Sequence, residues 1–111
     1  MPPITHIVLF RFKPDTSRDD INDACDRMLN LKNTCLHPVS NKPYIRSSSG
    51  GVDNSKEGIQ HGMTHAFVVE FDSVEDRDYY VEKDSTHHAF IKSLDGVIEK
   101  AQAVDFTAGV F

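Results

Sequence analysis

No stretch of this chain is apolar for long enough to cross a bilayer. Its longest runs, Ile7 to Phe10 and Ala66 to Val69, are strand-sized, where a membrane span needs roughly 20 residues. Positive charge is also scarce, with 12 Lys and Arg against 17 Asp and Glu and a net charge of −5. A nucleic-acid binder wants a basic face that displaces counterions from phosphates, and an anionic membrane surface wants the same, so neither is expected as a partner. Cysteine is limited to Cys25 and Cys35. If one helix carries both, ten residues separate them by roughly 15 Å, beyond disulfide reach, so both are expected reduced. No CxxC spacing suggests zinc. After Met1-Pro2-Pro3 there is neither the basic start nor the apolar core of a secretion signal, which predicts an intracellular, cytoplasmic protein. With no low-complexity segment and no linker, residues 1–111 read as a single domain.

What the chain does have is concentrated between Met63 and Phe90. Met63, His65, Phe67, Val69 and Phe71 alternate with Thr64, Ala66, Val68 and Glu70, the pattern of a half-buried strand. Asp72-Ser73 stops it. Ser73, three residues before Asp76, is a helix N-cap candidate, and the acidic run to Asp78 is a solvated helix face. Tyr79, Tyr80 and Val81 supply the buried side. A second start at Asp84-Ser85-Thr86 precedes His87-His88-Ala89-Phe90, so the helix is expected to break near Lys83. Successive helical residues point about 100° apart, so only one of the two histidines can face inward; the length of the break decides which, with His88 the one expected in solvent.

Elsewhere the elements are easier to read. Ile4 to Phe12 is a strand apolar on both faces, which must be covered on both, most simply by a second copy of the molecule. Ser17 with Asp20 opens a helix whose inner face carries Ile21, Ala24, Cys25, Met28 and Leu29 at i, i+3, i+4, i+7 and i+8. It should end between Leu31 and Thr34, ahead of His37-Pro38. Tyr44 to Ser48 is a short polar edge strand. Gly50-Gly51 then begins a loop running to Gly62, long enough to be mobile or to act as a lid. A last strand runs from about Glu99 to Thr107. The order β-α-β-β-α-β is that of an α+β, ferredoxin-like fold, a four-stranded antiparallel sheet with its helices on one face. Its other face favours face-to-face dimerisation. If the first and third strands are adjacent and in register, His6 and His65 share one wall, about 4.8 Å apart.

These residues resemble the stress-responsive A/B barrel (Dabb, dimeric α/β barrel) family. Thr5 to Phe10 with Phe12-Lys13, Gly62-Met63-Thr64-His65, Phe71 to Glu75, Tyr80 through Asp84 to Phe90, and Asp105-Phe106 carry the resemblance over nearly the whole chain. His37-Pro38, Lys42-Pro43-Tyr44 and the Gly51 to Ser55 stretch look most like fungal members. The resemblance implies a homodimer whose two sheets meet in a barrel. It also brings in olivetolic acid cyclase, a plant polyketide cyclase that closes a ring by aldol condensation without metal or organic cofactor. Matched by motif, His87 takes that enzyme's base position and Tyr80 its tyrosine position, while His6 and His65 match its two cavity histidines. Ser85 stands where a proline is common, and the helix break is about one residue longer.

The combined expectation is a small apolar pocket lined by Val8, Phe10, Met28, Phe67 and Phe90, with His6 and His65 as polar points. In it, His87 would abstract a proton from a carbonyl-bearing, polyketide-like ligand and Tyr80 would support the developing oxyanion. No metal or cofactor is implied. The alternative readings are a small-ligand carrier with the same pocket and a stress-response dimer in which the histidines only pack.

Overall fold

The computed structural model describes residues 2–111; Met1, the first letter of the Met1-Pro2-Pro3 start, lies outside the described residues. Seven elements follow in chain order: β1 (Ile4–Phe12), α1 (Arg18–Thr34), β2 (Ile45–Val52), β3 (His65–Phe71), α2 (Val74–Glu82), α3 (Ser85–Ser93) and β4 (Ile98–Thr107). The strands form one sheet in the order β2-β3-β1-β4, and every neighbouring pair is antiparallel. This is the ferredoxin-like α+β arrangement expected, with the second helix broken in two.

Local chemistry explains the boundaries. Ser17 accepts the Asp20 N–H and starts α1, whose first turn carries Asp19 and Asp20 against the positive helix end. At the other end the Cys35 N–H closes on the Leu31 carbonyl. Ser73 caps α2 through the Asp76 N–H. Alternation along β1 sends Ile4, His6, Val8, Phe10 and Phe12 under the helices and leaves Thr5, Ile7 and Leu9 half-buried on the open side. Phe67, Val69 and Phe71 of β3 join the same core, with Ala24, Met28 and Leu31 of α1 above them. Each of the larger of these side chains contributes roughly 1.5–3 kcal/mol on burial. No helix among the described residues is long and apolar enough to cross a membrane.

The second strand departs from the expectation. It continues to Val52 through the two glycines, where the sequence suggests the start of a loop. A Cβ on Gly50 would stand 2.3 Å from a ring carbon of Phe67 and 2.7 Å from the Ala66 carbonyl oxygen. Glycine is here to let two backbones approach, a strand role rather than a turn role. The connection that follows is closed by the Asp53 N–H on the Thr64 carbonyl. Its Ile59, Gln60 and His61 line a crevice together with Leu9, Ala66 and Gln102, at one end of the open face. It therefore covers no part of the helix-side hollow.

The helices do not cover the sheet evenly. α1 packs on β2 and α3, α2 on β3, and the edge strand β4 is held chiefly by β1. Ala101 and Ala103, on the helix side of β4, are consequently exposed. A space opens there.

Candidate active site

The space between α3 and β4 is a half-open hollow of about 320 Å³. Val8 and Phe10 of β1, Met28 of α1 and Phe90 of α3 give it apolar walls, and Ala101 and Ala103 leave its mouth clear. Its polar lining residues are His6, Tyr80 and His87, with Gln102 of β4 beside the two alanines. This size and lining are those of a small-molecule site.

His87 is placed by the helix break. In an uninterrupted helix the Asp84 N–H would bond the Tyr80 carbonyl, but it bonds Tyr79 instead, at 2.9 Å. The Tyr80 carbonyl is left for the His87 ring, whose Nδ1 lies 2.8 Å away. A carbonyl oxygen only accepts, so Nδ1 carries the hydrogen and Nε2 keeps its lone pair. Burial lowers the His87 pKa to about 4; the carbonyl bond opposes the shift, His88 and His6 add to it, and Asp84 opposes it. At neutral pH the ring is an uncharged base. Its neighbour His88 is exposed and reaches the next freed carbonyl, Val81, through Nε2 at 2.8 Å.

Tyr80 lies flat on His87, with ring centroids 3.6 Å apart and planes 18° from parallel. Its hydroxyl is pushed well above the ordinary phenol range, first by burial, then by Cys35 and Asp84. It is held as a phenol, able to donate a hydrogen bond and unable to act as a base.

His6 enters from the sheet. The β1–β4 register sets it opposite Asp105, and its Nδ1 donates to Asp105 Oδ1 at 2.5 Å. Arg77 Nη1 donates to the other carboxylate oxygen at 3.0 Å. The ring stands edge-on to Tyr80, centroids 5.9 Å apart. Asp105 and Arg77 were absent from the sequence reading of the site; knowing that His6 faces Asp105 across β1 and β4 was the missing signal.

A second network lies behind His87. Asp84 is 3% exposed, yet its carboxylate accepts the Tyr44 hydroxyl at 2.5 Å and the backbone N–H groups of Thr86 and His87 at 2.9 and 3.2 Å. The Cys35 thiol lies near it, and burial together with that carboxylate pushes the thiol up to about 12. Neither cysteine is in a disulfide. One side chain thus ties the end of α1, the approach to β2 and the start of α3.

Residues 4–108 match the sequence pattern of the Stress responsive A/B Barrel Domain, Dabb. The chain belongs to this family. Among solved structures it is similar to the Arabidopsis thaliana protein At3g17210, at 25% identity over 97% of each chain with a TM-score of 0.82. It is similar to the hydroxynitrile lyase of Passiflora edulis, at 24% identity, 99% of this chain and 97% of that one, TM-score 0.83. A dimeric ferredoxin-like protein from Thermobifida fusca follows at 21% identity, 96% and 91% coverage and TM-score 0.69. No curated protein sequence matches the chain.

In this A/B barrel domain, seven of the nine residues selected from sequence line the hollow: His6, Val8, Phe10, Met28, Tyr80, His87 and Phe90. Phe67 and His65 do not. Phe67 is only 1% exposed, packed into the core beneath Gly50. His65 is on the same sheet face as His6, but antiparallel pairing sets it opposite Phe10 while His6 lies opposite Val69. Four residues of strand, roughly 13 Å, separate them. The shared wall of two histidines is therefore corrected: the matched Thr-His starts of β1 and β3 run in opposite directions, which carries the rings apart. Among the described residues no group of three His, Cys, Asp or Glu side chains converges to hold a metal ion.

Proposed function

We infer that the domain works as a homodimer whose helix–sheet hollow takes a small apolar, carbonyl-bearing compound and that His87 removes a proton beside the carbonyl. This is cyclase- or lyase-type chemistry of the polyketide-cyclase kind, needing no cofactor. One observation carries the reading: the Tyr80 carbonyl fixes the His87 proton on Nδ1, so a bare Nε2 belongs to a ring lining an apolar hollow. His6, bonded to Asp105, supplies a second imidazole to the same space, and the buried Tyr80 phenol a further donor. The Passiflora edulis neighbour, a hydroxynitrile lyase, is a lyase on this fold. Dimerisation is supported by the apolar open face, where Ile7 and Leu9 are half-buried and Val68, Val104 and Phe106 exposed, and by structural neighbours described as dimeric.

A second reading has its own support. The bonds from His87 and His88 satisfy the two carbonyls that the helix break exposes, a purely structural service. The domain would then be a stress-response or ligand-carrying dimer. Product formation from a linear poly-ketone thioester, compared between wild type and His87→Ala, separates the two. A proton-abstracting base predicts a loss of about 100-fold or more in kcat with the ligand still bound. A wild type that binds without turnover would leave the carrier, and a variant as active as wild type would remove His87 as the base.

A further inference from the structure

We propose that the opposite end of the helix-covered face holds a second ligand site, a crevice that binds a small organic carboxylate with an apolar or aromatic body. It encloses about 510 Å³ and is lined among others by Phe12, Lys13, Arg18, Ile21, Val52 and His65. None of its lining residues is shared with the hollow around His87.

Charge is what sets it apart. Three basic side chains reach it from three places: Lys13 just beyond β1, Arg18 at the start of α1 and His65 on β3. No Asp or Glu lines it; Asp15, Asp19, Asp20 and Asp53, the nearest in sequence, stay outside. Arg11, Arg27, Arg46 and Arg77 each pair with a carboxylate, whereas among the described residues Arg18 enters no ion pair and Lys13, like the other lysines, enters none. In a chain of net charge −5, two permanent cations converging unpaired on an apolar floor are matched by an anion with a hydrocarbon body. The planar fork of Arg18 suits a carboxylate in two-point contact.

His65 adds a ring nitrogen whose protonation a bound carboxylate would favour. The Thr64 hydroxyl spends its hydrogen on the Phe10 carbonyl at 3.1 Å, so its 2.9 Å contact with His65 Nδ1 must be donated by the ring. Nε2 therefore keeps the lone pair, and the ring is steadied edge-on against Phe12, centroids 5.0 Å apart. Burial and then Arg18 lower the His65 pKa. A carboxylate beside Arg18 offsets that repulsion, so binding should be accompanied by a rise in the pKa of this ring.

The test follows the histidine ring signals by NMR while benzoate, benzamide or inorganic phosphate is added to the full chain. Benzoate is expected to move the His65 signal and raise its pKa, and to bind about tenfold more weakly to Arg18→Gln, the loss of one charge-assisted contact. Arg18 is exposed, so the variant keeps the fold. Benzamide and phosphate should leave His65 unmoved. A His65 signal indifferent to benzoate, an equal response in Arg18→Gln, or benzamide or phosphate acting as benzoate does would each overturn the proposal. A benzoate response confined to His6 and His87 would overturn it too, while leaving the reading of the first hollow intact.

Discussion

At the scale of single residues, protonation is the quantity that the hollow controls. The unfolded chain protonates His87 below pH 6.5, the folded chain only below about 4. Between those values the unfolded state holds more protons, so stability is complete above pH 6.5 and falls as pH drops toward 4. The full effect is about 3 kcal/mol, and His65, shifted the same way, adds to it. Urea unfolding at pH 7 and pH 4.5 should therefore show His87→Gln losing about 2 kcal/mol less than wild type over that interval. An equal loss in both proteins would mean that the ring is not desolvated. Sequence could narrow the choice to His87 or His88 but not resolve it, because the length of the helix break decides which ring turns inward. Nor could it supply Asp105, which reaches His6 only through the β1–β4 pairing.

Among elements, Asp84 is the joint most worth breaking. Replacing it with Ala removes the α3 cap and strands the buried Tyr44 hydroxyl and His87 N–H, together with the part-buried Thr86 N–H. A cost of about 2–4 kcal/mol is expected, read from urea midpoints, with Asp84→Asn intermediate because an amide oxygen can still cap. Gly50→Ala makes a sharper point about β2. Its methyl has no space beside the Phe67 ring, and a loss of about 1–3 kcal/mol follows from overpacking. A neutral result would return Gly50 to a loop. Most elements were legible because their signals are local: the alternation in β1, the Ser17 and Ser73 caps, the stop at Lys83. β2 was misread beyond Ser48 because its glycines answer to Phe67 on the neighbouring strand, a contact outside any sequence window. The helix gap over β4 was hidden for the same reason, since Ala101 and Ala103 look like ordinary strand residues until no helix lies above them.

For the whole molecule, the open sheet face decides the assembly. β1 of nine residues spans about 30 Å, and four strands spaced at about 4.8 Å span about 15 Å. Two such faces pressed together bury on the order of 900 Å² before side-chain relief is counted, close to the roughly 1,000 Å² that a specific interface needs. Ile7, Leu9, Val68, Val104 and Phe106 give that area an apolar centre, and Val68 and Ile7 sit directly opposite each other on adjacent strands. A charge placed there meets apolar surface, and near a twofold axis its own copy, and neither contact is tolerated in a dry interface. Val68→Lys should therefore sediment as a monomer at micromolar concentration, where wild type sediments as a dimer. Because Val68 points away from the helices, the His6 and His87 ring signals of the monomer should keep their wild-type positions. A Val68→Lys protein that remained dimeric would place the contact elsewhere, and one whose His87 signal moved would mean that the second copy helps to shape the hollow.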